Sequence, residues 1–145
     1  MEDLLNPTQK NSLCVTLRRF EENLLHARAW LDGNEENGVL YRRKLILPEK
    51  RRLQAEQEIG TALDLIEKLS RDFDLPIESE NAASLIHGEM SISWADLLDS
   101  RASELRRCGI VHPELSNALD PGIQSLARIA LTLTTIFGDA KKERP

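Results

Sequence analysis

At 145 residues the chain fits one domain, and a chain of this size buries roughly 70% of the surface that its unfolded form exposes. With 41% hydrophobic and 30% charged residues it is too apolar for a disordered chain and too charged for a membrane-embedded one. A formal net charge of -5 argues against a general nucleic-acid coat protein, which needs a positive field, and leaves a local basic patch as the only route to polyanions.

The opening Met1-Glu2-Asp3-Leu4-Leu5-Asn6 is acidic and short of apolar residues, unlike a secretion signal, so a cytoplasmic protein is expected. Cys14 and Cys108 are isolated and form no Cys-x-x-Cys pair, which favours two small buried apolar residues over ligands or redox centres. Leu13, Leu17, Phe20, Leu24, Ala27 and Leu31 then recur at alternating four-three spacing and share one stripe of a helix. Asn6 and Pro7 supply its cap and first turn, Gln9 completes a capping box, and Gly33 offers a left-handed stop, so the helix is predicted from Pro7 to Asp32. The polar stretch Asn34-Glu35-Glu36-Asn37-Gly38 reads as a loop.

Val39 to Leu47 mixes β-branched, aromatic and leucine residues without a clean period and is read as helical, with a kink or an extended strap as alternatives. From Pro48, Leu53, Ile59, Leu63, Ile66, Leu69 and Phe73 mark a second long helix that ends before Leu75-Pro76. Gly60 inside it costs about 1 kcal/mol relative to alanine, which a closely approaching neighbouring helix would offset. Ser79 to His87 has room for a short helix closed by Gly88. Ser93 as cap, Asp96 at the capping-box position and an Ile92–Leu97 staple predict a further helix through Leu98, Ala102 and Leu105 to Cys108. Asp120-Pro121 repeats the cap-plus-proline start, and Ile123 to Phe137 carries only Arg128 as a charge before Gly138. That run is too short to span a bilayer and contains Gln124 as well as Arg128, so it is the central helix of a bundle. Asp139 to Pro145 is expected to be a disordered tail. No strand-turn-strand pattern and no repeat of fixed period is visible.

The expected architecture is therefore all-α: a single antiparallel four-helix bundle over residues 1–138, with a short additional helix before the third long one. Because its last helix is apolar nearly all round, a second copy is expected to help cover it, giving a homodimer.

Sites for chemistry are scarce. No Glu-x-x-His step for a di-iron centre is present, and His87-Gly88-Glu89 lacks the later Pro-Cys-x-x-Cys that a zinc deaminase needs. Phosphate-loop, nucleophile-elbow and dinucleotide fingerprints are missing, so neither a metal nor a cofactor is expected. His26, one position before the Ala27 stripe residue, reads as a partly buried, hydrogen-bonded histidine.

Two features point further. Arg42, Arg43 and Lys44 followed by Lys50, Arg51 and Arg52 concentrate six cations against Glu49 alone. Cations in a helix's first turn oppose its macrodipole, so a helix starting at Pro48 leaves Lys50, Arg51 and Arg52 to be explained by an anionic or protein partner, or by pairing with Glu35, Glu36, Glu56 or Glu58. The second feature is Arg107 followed after four residues by His112. That spacing resembles the arginine–histidine signature of small all-α HEPN ribonucleases, although Gly109 separates the two and Val111 stands where that family often has a polar residue. The resemblance implies metal-independent RNA cleavage, with Arg107 and His112 meeting across a dimer cleft to hold the phosphate and activate the ribose hydroxyl. The leading expectation is instead a non-enzymatic, homodimeric interaction protein that uses the Arg42 to Arg52 region.

Overall fold

The computed structural model describes residues 4–144; Met1–Asp3 in the acidic opening and Pro145 at the end of the tail lie outside them. Among the described residues the protein is all-α apart from one small hairpin: α1 (Pro7–Leu31), β1 (Glu35–Asn37), β2 (Arg42–Lys44), α2 (Glu49–Asp72), α3 (Ala83–Leu98), a 3-10 turn (Glu104–Cys108) and α4 (Leu115–Ala140). These elements form two compact units, Met1–Ile77 and Glu78–Pro145. Among the described residues no helix is long and apolar enough to cross a membrane.

In the first unit α1 begins as its sequence dictates. Asn6 Oδ1 accepts the Gln9 N–H at 2.8 Å and Gln9 Oε1 accepts the Asn6 N–H at 2.9 Å, the reciprocal box that satisfies two otherwise orphaned donors. Just past its end Gly33 adopts a φ of 101°, open to glycine and strained for other residues. The stripe on α1 is only partly used: Leu24 and Leu31 are buried with Ile59 of α2, while Phe20 remains about half exposed. Leu45, Leu47, Ala55, Ala62, Leu63 and Ile66 pack around that centre, so α1 and α2 form an antiparallel pair roofed at one end by the segment that joins them.

That joining segment is where the structure departs most from the helical reading of Val39 to Leu47. Residues 35–37 and 42–44 pair antiparallel, with Glu35 opposite Lys44, Glu36 opposite Arg43 and Asn37 opposite Arg42. The strands are too short and too charged to show an apolar alternation, and opposite charges across the ladder replace the apolar face that usually betrays a strand. Residues 45–48 then run extended into α2, whose first turn starts at Glu49 with Pro48 as its cap residue. Gly60 has open space around the position of a Cβ, so no neighbouring element approaches it and the offset expected there is missing.

In the second unit one helix, α3, replaces the two expected over 79–88 and 93–108. Ala82 is its cap residue, Asn81 just before it accepts the Ala83 N–H on Oδ1 at 3.0 Å, and the chain passes through Gly88 and Ser93 without interruption. Ser91 turns its hydroxyl onto the His87 carbonyl at 2.8 Å, a bond within the helix rather than at a cap. The helix stops at Leu98, and Arg101 Nε donates to the Leu98 carbonyl at 2.9 Å. The short helix of the chain is therefore the 3-10 turn that follows α3.

α4 starts at Leu115, earlier than Asp120-Pro121 suggests. Asp120 caps something else: its Oδ1 accepts the N–H of buried Ala102 at 2.8 Å and ties the post-α3 turn to α4. Pro121 sits inside the helix. At the other end the helix runs past Gly138 to Ala140, and Asn81 Nδ2 donates to the carbonyls of Ala140 and Glu143 at 2.7 and 2.9 Å. The first part of the expected tail is thus hydrogen-bonded to the start of α3. Midway, His87 Nδ1 lies 2.9 Å from the Thr134 carbonyl, against Gly138. The pairings 81 with 140, 87 with 134 and 102 with 120 make α3 and α4 antiparallel.

Candidate binding surface of the first unit

The six cations fall into two groups once their contacts are known. Arg43 Nη1 is 3.2 Å from Glu36 Oε1, and its guanidinium carbon lies 5.3 Å from the centroid of the Tyr41 ring. The Tyr41 hydroxyl donates to Glu36 Oε2 at 2.9 Å, which together with the carboxylate's charge raises the phenol's pKa above its ordinary value. Arg42 donates to the carbonyls of Gly38 and Tyr41, bracing the turn while keeping its full charge. Arg52 reaches back to the Leu31 carbonyl at the C-terminus of α1 and lies 3.9 Å from Glu49, so it complements the negative end of that helix. The side chains of Lys44, Lys50 and Arg51 make no hydrogen bond or ion pair among the described residues and are exposed, although Lys44 stands opposite Glu35 in the ladder.

Beside them lies a feature invisible in the sequence, a cleft of about 430 Å³ bounded by α1, the 43–47 segment and α2. Ala27, Trp30, Leu31, Leu45, Leu47, Ala55 and Ile59 give it an almost wholly apolar lining, and Arg43 and Lys44 supply its polar margin. Its size is that of a ligand site, and it exists because two helices and one strap cannot fill the space between them. Val39 and Leu40 at the hairpin tip are 98% and 96% exposed, and Ile46 is 82% exposed. The region therefore combines bare aliphatic surface with positive charge that is only partly paired.

Arg107 and His112 are both exposed, and each is engaged with main chain of its own neighbourhood. Arg107 Nη2 donates to the Asp99 carbonyl at 3.1 Å, closing the end of α3, while His112 Nδ1 accepts the Glu114 N–H at 3.1 Å just before α4. No bond between them occurs among the described residues. His26 is exposed rather than partly buried, Cys14 is half-buried and free, and Cys108 is exposed and free rather than a core residue. No group of three or more potential metal ligands is found among the described residues.

Comparison with protein-family models, with curated proteins and with solved structures finds no match to this chain.

Proposed function

We propose that this protein is a non-enzymatic interaction module, acting as a homodimer, whose first unit engages an anionic partner through residues 42–52. The observation that supports this reading is the placement of Arg43 and Lys44 on the margin of an otherwise apolar cleft. The Lys50 and Arg51 side chains, which make no ion pair, and Lys44, which faces only Glu35, add to that charge. Positive charge beside bare apolar surface is a combination suited to recognising an anionic partner.

The dimer rests on α4. Its inner face, with Ala127 and Ala130 buried, packs on α3, whereas Leu126, Ile129, Leu133 and Ile136 recur at three-four-three spacing on an adjacent face. Leu126, Ile129 and Ile136 of that second seam are more than half exposed. Such spacing is self-complementary when two copies of a helix meet.

The anion-binding reading is tested with fluorescently labelled poly-glutamate. Anisotropy should show binding that weakens steeply with salt, because exposed Coulombic attraction is screened over about 10 Å at 0.1 M. The combined variant Lys44→Ala, Lys50→Ala, Arg51→Ala should lose it while keeping its helical circular dichroism. Arg52 is left intact because it holds the end of α1. Binding unchanged in the triple variant would overturn the assignment to this segment.

A further inference from the structure

The most exposed aliphatic side chains of the first unit stand on a turn braced by several contacts at its base. Between the strands, the Gly38 N–H donates to the Tyr41 carbonyl at 2.9 Å, and Arg42 donates to the Gly38 carbonyl. The Tyr41 ring meets the turn by its Cδ1–Cε1 edge: a Cβ at Gly38 would come within 2.9 Å of it, so glycine permits this approach. The ring is held in turn by Glu36 through its hydroxyl and by Arg43 stacked on its face. All of this bracing lies at the base of the turn, and none of it covers Val39 or Leu40, which remain as exposed as in an unfolded chain. Their burial contributes nothing to folding, and the braced backbone beneath them presents both to solvent, which lowers the ordering cost of inserting them elsewhere.

We infer that this hairpin is a membrane-contact element, in which Val39 and Leu40 enter the interface of an anionic lipid surface while Arg42, Lys44, Lys50 and Arg51 meet the headgroup phosphates. This rests on the anionic-partner reading and names the partner. The tip is convex, and its two adjacent aliphatic side chains carry no polar atom that would orient a shaped protein pocket. A fluid acyl boundary accepts such a protrusion without directional bonds. Positive charge follows the tip directly: residues 35–55 hold six cations against Glu35, Glu36 and Glu49, and a positive surplus remains after Glu36 pairs with Arg43 and Glu35 faces Lys44. Neither two inserted side chains nor a few exposed cations suffices alone for stable attachment, and the two signals together are the usual requirement for a peripheral anchor. Attachment of this kind needs no spanning helix.

The full chain is co-sedimented with vesicles of phosphatidylcholine, with and without phosphatidylserine, and in parallel titrated with labelled poly-glutamate. The protein should pellet only with the phosphatidylserine vesicles and should be released by raised salt. The neutral variant Val39→Ser, Leu40→Ser should lose roughly tenfold or more in vesicle affinity, as expected for removing two inserted aliphatic side chains. It should keep its circular dichroism and its poly-glutamate binding. A wild type that binds poly-glutamate but ignores phosphatidylserine vesicles would make the partner an acidic protein and overturn the membrane inference alone. A Ser variant that pellets as well as the wild type would overturn it equally. Failure to bind either probe would remove the anionic-partner reading and the inference with it.

Discussion

Tyr41 shows how one side chain organises a loop. It is the chain's single tyrosine, so its ionisation can be followed in the ultraviolet absorbance without interference from another phenol. The hydrogen bond to Glu36 and that carboxylate's negative charge both oppose tyrosinate, and they outweigh the nearby Arg43, which favours it. The titration midpoint of the folded protein should therefore lie above that of the unfolded chain, and Glu36→Gln should bring it back down. A folded-state pKa raised in this way means that the hydrogen bond contributes to stability below the ordinary tyrosine pKa. The contribution is lost as pH rises through the raised value. A midpoint at or below the unfolded one would show that the hydroxyl does not bond Glu36 in solution. At the same scale, the cations of the 42–52 segment look alike in sequence but have separate roles, because Arg52 and Arg43 have geometric partners and Lys50 and Arg51 do not.

Among the helices, two glycines make opposite predictions from the same chemistry. At Gly60 of α2 the space for a Cβ is open, so Gly60→Ala should stabilise the protein by about 0.5–1 kcal/mol through helix propensity alone. At Gly138 of α4 a Cβ would lie 2.9 Å from His87 Nδ1, whose ring is held on the Thr134 carbonyl. Gly138→Ala should therefore destabilise by about 1–3 kcal/mol, the usual cost of overpacking, despite the propensity gain. Urea unfolding midpoints would separate the two. A stabilising Gly138→Ala would mean that α3 and α4 are not in contact at that level. The boundaries of α1 and α2 are readable because their signals are local: a capping box, a proline, a glycine stop and a run of period-matched leucines. Those of α3 and α4 are not, because Asn81, outside the expected motif, takes up the first N–H of α3, Ser93 lies inside that helix, and Asp120 bonds the Ala102 N–H. Cap-type residues specify what they can bond, and the neighbouring helix decides which bond is made.

For the molecule as a whole, α4 carries the prediction. Its second seam predicts sedimentation at micromolar concentration with about twice the chain mass, and Ile129→Asp should return it to a monomer with unchanged helical content, since Ile129 is more than half exposed in the single chain. A wild-type monomer would show that the seam needs no second copy. The all-α class, the two N-terminal helices and the apolar character of the last helix were legible from the residues alone, because periodicity and composition act within one element. The hairpin, the cleft behind it and the split of the six cations into paired and unpaired were not. Each depends on residues far apart in the chain coming together, as Arg52 does with the Leu31 carbonyl, or on cross-strand charges standing in for the apolar pattern that identifies a strand. Local preference determined that the chain is mainly helical and where α1 and α2 begin; packing determined the hairpin, the bounds of α3 and α4, which charges are left over, and that an apolar cleft remains beside those charges.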